Sequence, residues 1–496
     1  MTEAMEEPSA RAPRVAIVGG GMAGLSAAWE LERWSRTGML AVDLFEATPR
    51  VGGPVVTDLG SGFALEGGPD SFLTSKPDLM ELLEELGLSG SLIGVRASAR
   101  AAYIFRAGRL HRIPPLFGVD FWSAARAIRS TTLIGWPGKL RMGLGVVLIR
   151  LRPIRTDDRI PLGPQIRSRF GGEATDWLFE PFLGGVHSTP IDRLSPAAVA
   201  TILPARWTAA ASSRPSDRAA GPRRVPFASL RDGMASLPRR LSERLEGTRV
   251  HLRTGVVGFE REGNGYRLRL DNDSSTFADG VILAVSGFEA ARLLRATGPP
   301  GAAQELDEAP KPPNVVVGLV YRREDIPISM EGTGVLVPLR TGLPVAAITW
   351  LSSKWDRDDP EAGKVALRAF LRPRDRDGSG PEPETESVER ARLGLYHIMG
   401  VRAAPTYSVV FAHARAIPWY EVGHAARVAR ARRALSAWPR VELAGNSYDG
   451  IGLPDVVGSG RAAARRLIAA LGTSLPARSE HAKGPAGPPD PPRPRD

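Results

Sequence analysis

Two apolar runs, Arg14 to Val18 and Leu40 to Phe45, flank a stretch from Ala23 to Trp34 in which Leu25, Ala28 and Leu31 recur at helical spacing. This pattern predicts a buried strand, a helix and a second buried strand, the last ending at Glu46. Leu79 to Leu88 alternates as an amphipathic helix closed by Gly87. From Ser89 to Pro204 the texture changes to helix-like segments broken by Pro and Gly, among them the apolar run Leu144 to Leu151 and the stretch Trp177 to Leu183, which predicts an inserted helical region. Ala209 to Arg224, rich in Ala, Ser, Arg and Pro, reads as a loop. Strand-like alternation returns at Arg249 to Leu252 and Tyr266 to Leu270, followed by the continuous apolar strand Gly280 to Val285. Asn314 to Tyr321, Thr333 to Pro338, Pro344 to Trp350 and Val365 to Leu371 predict a separate sheet. Val441 to Ala444 is one more buried strand and Ser459 to Leu471 a closing helix. The Pro-rich polar stretch Ser474 to Asp496 is expected to be disordered.

Composition narrows the function classes. A chain of 496 residues, 43% hydrophobic and 24% charged, is an ordinary globular enzyme with more than one core. The absence of cysteine excludes disulfides, thiolate metal sites and a cysteine nucleophile, and agrees with a reducing compartment. The seven histidines are spaced like packing or surface residues, so no metal centre is expected. A formal charge of +11 would suit nucleic acid, an anionic membrane or an acidic small molecule. Arg is spread from Arg11 to Arg495 with no nucleic-acid motif, which favours a composition bias over nucleic-acid binding. Met1 to Arg14 carries three Glu and no apolar core, unlike a signal peptide, and no apolar run is long enough to span a membrane. A cytoplasmic enzyme is expected.

The chemistry lies in the glycines. Gly19-Gly20-Gly21-Met22-Ala23-Gly24 contains G-x-G-x-x-G between a predicted strand and a predicted helix. Gly19 permits the tight turn, Gly21 lets the backbone approach a pyrophosphate, and Gly24 allows close packing of helix and strand. The helix start then offers unpaired N–H groups to the phosphates. Such a turn also occurs for structural reasons alone, but Glu46 follows at the end of the second strand, where a carboxylate accepts the ribose hydroxyls. Ala47 is its neighbour, and Gly52-Gly53 then Gly67-Gly68-Pro69-Asp70 add two further close backbone approaches. Near the other end, Gly445 follows a strand, and Gly450-Ile451-Gly452-Leu453 lead through Gly458 and Gly460 into the final helix, whose first N–H groups would stabilise negative charge on a reduced ring.

The predicted architecture is therefore α/β, α+β overall. A Rossmann-type dinucleotide-binding domain, discontinuous in sequence, takes residues 14–88, 225–310 and 430–472. A helical region facing substrate or membrane takes 89–205, a mixed-sheet substrate domain 311–429, and flexible ends 1–13 and 473–496.

Gly52-Gly53 and Gly67 to Asp70 resemble flavin oxidases of the amine oxidase superfamily. Within it, residues from about Arg14 to Leu471 resemble the oxygen-dependent protoporphyrinogen and coproporphyrinogen III oxidases. The strings that carry this are Gly68-Pro69-Asp70-Ser71-Phe72-Leu73, Glu180-Pro181-Phe182-Leu183-Gly184-Gly185-Val186, Glu331-Gly332-Thr333-Gly334, Pro418-Trp419-Tyr420-Glu421-Val422-Gly423-His424 and Gly445-Asn446-Ser447-Tyr448-Asp449-Gly450-Ile451-Gly452-Leu453-Pro454-Asp455. The resemblance implies FAD as cofactor, with Met22, Ala23 and Val256 added to its contacts. It implies six-electron oxidation of a porphyrinogen, with O₂ as acceptor and H₂O₂ as by-product. No catalytic side chain beyond the flavin is implied. The product would pass to a chelatase, and the enzyme would be cytoplasmic or peripheral to the inner face of the membrane. Lys76 matches a lysine of the Gram-positive coproporphyrinogen type and favours coproporphyrinogen III; protoporphyrinogen IX is the alternative, and an amine oxidase or phytoene desaturase-like activity a further one. Val186, Leu336, Ile348 and Trp350 are expected to line the macrocycle cavity. Pro54 stands where relatives carry Lys or Arg.

Overall fold

The computed structural model describes residues 11–99, 101–114, 121–185, 187–200, 203, 207–208, 227–307, 313–357, 361–374, 382–413 and 417–472. The loop expected at 209–224, the tail from 474 and the candidate lining residue Val186 lie outside the described residues.

One half is built on a five-stranded parallel sheet, in the order Arg249–His251, Ala41–Phe45, Arg14–Val18, Gly280–Leu283 and Val441–Leu443. Its strands come from three separated stretches, as the apolar runs predicted. A parallel sheet is covered on both faces, which is why these strands read as almost continuous apolar runs. On one face lie the first helix (Met22–Arg36), the helix Pro77–Glu85 and the final helix (Leu453–Leu471), with Leu25, Leu31, Leu82 and Leu467 fully buried. On the other lie a three-stranded antiparallel sheet spanning 256–278 and the helices Gly287–Leu294 and His424–Leu435. Asp43, a buried carboxylate within the strands, is matched by Arg249 at 2.9 Å and His251 at 2.8 Å on the neighbouring strand.

The other half is a seven-stranded mixed sheet, in the order Tyr407–His413, Asn314–Arg322, Lys364–Leu371, Val345–Trp350, Gly334–Leu336, Tyr103–Arg106 and Arg109–Arg112. The last two strands form a hairpin inside the region expected to be helical. Ala107 and Gly108, both at positive φ (51° and 74°), give its two-residue turn, and the hairpin completes the sheet edge by parallel pairing of Tyr103 with Val335. The short alternation from Tyr103 to Arg112 is easily lost beside the longer helical runs. The helix Glu384–Met399 packs on one face of this sheet, burying Ala391, Leu395 and Ile398 against Val317, Leu319 and Leu367.

The helical region has its own core of Phe170, Phe179, Leu183 and Trp207. Its segment Thr175–Gly184 is wound as a π-helix with Pro181 inside, and contains most of the Glu180 to Val186 string.

Candidate FAD site

The first helix starts at the end of strand Arg14–Val18, and Gly21 caps it with no side-chain cap and no acid in the first turn. Its first N–H groups are therefore left for a ligand. Three glycines of this turn do different work. Gly19 has φ +106°, and a Cβ there would stand 2.6 Å from the Ala284 carbonyl oxygen; a Cβ on Gly24 would stand 1.9 Å from the Gly19 oxygen. Both are required by the protein's own packing. Gly21 has φ −69° and no protein atom within 4 Å of a Cβ position. Nothing in the chain requires glycine at 21, whereas a diphosphate lying against the main chain does, so these residues fit the cofactor. Met22 and Ala23 are buried in the adjoining core.

Glu46 stands at the end of the second strand. One carboxylate oxygen accepts the Gly20 N–H and the other the Thr48 N–H, each at 2.8 Å. A carboxylate has about four acceptor sites, so two remain for a ribose diol. Thr254 N–H donates to the Glu46 carbonyl at 2.9 Å, which brings the segment leading to buried Val256 alongside Glu46 and exposed Ala47. The Gly52 N–H donates to the Gly20 carbonyl at 2.8 Å and Gly52 pairs with Gly21 as a parallel bridge, so the two glycine turns lie side by side; a Cβ on Gly53 would come 3.4 Å from the Gly21 Cα.

Gly67 and Gly68 cross between the two halves. A Cβ on Gly67 would strike the Phe411 ring, and one on Gly68 the Pro54 carbonyl. The Gly67 carbonyl faces His413 Nε2 at 2.9 Å, and the Gly68 carbonyl accepts from the Arg368 guanidinium. Half-buried Pro69 leads to Asp70, which the structure puts in a buried charge cluster with Lys354 at 2.7 Å and Arg368 at 3.9 Å. Burial alone would raise the Asp70 carboxyl, but the Lys354 and Arg368 cations outweigh it and hold it down at about 2. Nearby Glu66, 3.5 Å from Arg357, is pushed up by burial despite its hydrogen bonds and cations. Sequence reading named Asp70 but missed Lys354, which ends the short helix Leu351–Lys354, and Arg368, whose one signal was a basic residue within an apolar strand.

At the far end, the loop after strand Val441–Leu443 carries Gly445, at φ +131°, whose N–H donates to Ser459 Oγ at 3.0 Å. Tyr420 straps this loop by accepting the Gly450 N–H at 2.7 Å and donating to the Asn446 carbonyl at 2.9 Å. Gly450 and Gly452 both lie against Asp455 in the first turn of the final helix, Gly452 as its cap; Ile451 is half-buried and Leu453 buried. Asp455 is ion-paired with Lys76, which caps the helix Pro77–Glu85 and acts electrostatically on buried His187. Burial, and then Lys76, lower the His187 pKa. Gly458 and Gly460 have protein reasons: a Cβ would meet Asp78 in the first case and the Ala23 carbonyl, at 2.1 Å, in the second. The expectation that these two glycines serve a flavin is corrected to helix packing.

The lining residues separate. Paired residues of neighbouring strands share a face. Leu336 pairs with Ala347, and Thr349 with Arg368, on the face that meets Gly68. Ile348 and Trp350 point the other way and are buried beneath the helix Glu384–Met399. Expecting them to line a cavity is corrected by one residue of strand register; Ala347 and Thr349 hold the corresponding face. Leu336, half-buried, packs against the helical core.

A glycine turn opening a parallel sheet, an acid at the end of its second strand, and a second sheet brought in over Gly67 and Gly68 fit an FAD-dependent oxidoreductase. The model of the family described as "Flavin containing amine oxidoreductase" matches residues 22–468, and the chain belongs to that family. It is 29% identical over 462 residues to coproporphyrinogen III oxidase of Bacillus subtilis (strain 168), covering 90% of this chain and 96% of that one. It is 27% identical to the chloroplastic protoporphyrinogen oxidase of Oryza sativa subsp. japonica, covering 91% and 88%. Among solved structures, a "putative protoporphyrinogen oxidase" from Exiguobacterium sp. 255-15 matches with TM-score 0.76 and 31% identity over 93% of this chain and 99% of that one.

Proposed function

We propose that the chain oxidises coproporphyrinogen III to coproporphyrin III, with three O₂ consumed and three H₂O₂ released as six electrons leave. The observation that carries this is similarity along nearly the whole length to bacterial proteins named coproporphyrinogen III oxidase, from B. subtilis to Mycobacterium leprae. Bound FAD would supply the hydride acceptor for the carbons bridging the pyrroles. The residues around it hold the diphosphate at Gly21, clasp the ribose at Glu46 and fix the loop before the final helix through Tyr420. Removal of hydride needs position more than acid or base, which agrees with ion pairs already made within the candidate site, Asp70 with Lys354 and Asp455 with Lys76. In this reading Lys76 reaches a substrate carboxylate while sharing its charge with Asp455. We also place the reaction in the cytoplasm, with the porphyrin handed to a chelatase. Among the described residues no helix is long and apolar enough to cross a membrane.

Protoporphyrinogen IX is the second reading, favoured by the plant relative. The FAD-loaded protein, given each porphyrinogen in air, should generate porphyrin fluorescence faster with coproporphyrinogen III and release peroxide with it. Faster turnover of protoporphyrinogen IX would reverse the substrate assignment, and turnover of neither above a blank would end it.

A further inference from the structure

The Tyr420 hydroxyl holds the loop before the final helix, and the peptide 419–423 that carries this side chain is held in turn by the helical region. The Ser195 N–H donates to the Tyr420 carbonyl at 2.8 Å, the Val422 N–H donates to the Arg193 carbonyl at 3.2 Å, and Leu194 pairs with Glu421 as an antiparallel bridge. Arg193 adds an ion pair with Glu421 and lies 4.8 Å from the centre of the Trp419 ring. Tyr420 therefore links this strip to the main chain at Asn446 and Gly450.

One carboxylate ties the strip down at two points. Asp158 Oδ2 accepts the Gly423 N–H at 2.6 Å, and Oδ1 accepts the Ser195 hydroxyl. Ser195 is buried, and its oxygen also caps the short helix Pro196–Val199 through the Ala198 N–H at 3.4 Å. Asp158 lies between the helices Trp136–Leu151 and Leu162–Phe170 with φ +59°. Asp and Asn enter this left-handed region more readily than other residues with a Cβ, because a short polar side chain can bond nearby main chain. Here the carboxylate instead reaches Gly423, 265 residues further on. Gly423 is itself left-handed, at φ +86°, and starts the helix His424–Leu435 with no side-chain cap. A charged acceptor makes the stronger kind of hydrogen bond, so Asp158 fixes both the residue that grips the Tyr420 carbonyl and the point where the strip turns into a helix.

We propose that Asp158 is a positioning residue for the loop 445–452: through Ser195 and Gly423 it sets the strip that carries Tyr420, and Tyr420 sets the main chain at Asn446 and Gly450 against bound FAD. This rests on the reading of that loop as part of the FAD site. The helical region then acts on the cofactor through a relay of hydrogen bonds, without touching it.

Release of FAD from the diluted holoenzyme, followed by the rise in flavin fluorescence, and the visible circular dichroism of bound FAD test the relay. Tyr420→Phe removes both loop hydrogen bonds and should speed release about tenfold and alter the dichroism. Asp158→Gly suits the positive φ and removes only the carboxylate, and should reproduce both changes. The double variant should be no worse than either single one, because both break the same path. Asp158→Asn keeps an acceptor for the Gly423 N–H and a donor for Ser195 Oγ, and should bring release back to within about twofold of wild type. If Asp158→Gly does not fold, Ser195→Ala takes its place in the cycle. A residue that only stabilised the helical region would lower the melting temperature with FAD release and dichroism unchanged, and that result overturns the proposal, as do additive effects in the double variant. A defect in Tyr420→Phe that Asp158→Gly does not share overturns this inference alone. No defect in Tyr420→Phe overturns the reading of the loop and this inference with it.

Discussion

The two sheets store their functional information in different places. In the parallel sheet both faces are covered, its strands are nearly uniform apolar runs, and the candidate cofactor residues sit at strand ends: Gly19 to Gly24 after one strand, Glu46 after the next, Gly445 after the last. In the mixed sheet the candidate site residues share one face. Ala347, Thr349 and Arg368 face the FAD half, while Ile348 and Trp350 fill the core beneath Glu384–Met399. A strand end can be read from where an apolar run stops. A strand face cannot, because a shift of one residue exchanges the two sides.

Substitutions at neighbouring positions test this difference. Gly24→Val should have the largest effect, because even its Cβ overlaps the Gly19 carbonyl, 1.9 Å away; loss of cooperative unfolding would show it. Asp70→Asn comes next. It leaves Lys354 and Arg368 buried without their carboxylate and should cost about 3–5 kcal/mol in urea unfolding.

Ile348→Ala should cost about 2–5 kcal/mol with KM for porphyrinogen unchanged, whereas Thr349→Val should leave the urea midpoint nearly in place and shift KM. A reversal of those two results would put the substrate on the other face.

Acid gives a smaller effect with a defined sign. The Asp70 carboxyl is lowered from 3.8 to about 2, so its stabilisation is complete above pH 3.8 and is lost as pH falls through about 2. The wild-type urea midpoint should drop across that window more steeply than that of Asp70→Asn. Smallest for the fold is Gly21→Val, whose side chain meets no protein atom within 4 Å of its Cβ. The melting temperature of the apoprotein should barely move while bound FAD, read by absorbance, is lost. Normal FAD content in that variant would contradict the site.

Much of this was legible in the chain. Strand Arg14–Val18 and the helix after it fell within two residues of expectation, since an uninterrupted apolar run and a 3.6-residue period are strong local signals. The Tyr103–Arg112 hairpin was not, because its stability comes from pairing with Gly334–Leu336, more than 200 residues later. The sequence did separate Gly21 from Gly24, which answers to neighbouring main chain, but it did not set Gly460, whose Cβ would meet the Ala23 carbonyl, apart from the glycines of the cofactor loop. Asp70 could be marked as a residue of interest, but the two cations that hold its charge come from 354 and 368.

By itself the sequence determined the glycine turn, the acid at the end of the second strand and the discontinuous parallel sheet, because each depends on residues close together or on an apolar run that must be buried wherever it lands. Tertiary structure decided which side of each mixed-sheet strand faces the FAD half and which charges neutralise one another. Those properties belong to pairs of distant segments, and the free energy that fixes them exists only once the segments meet.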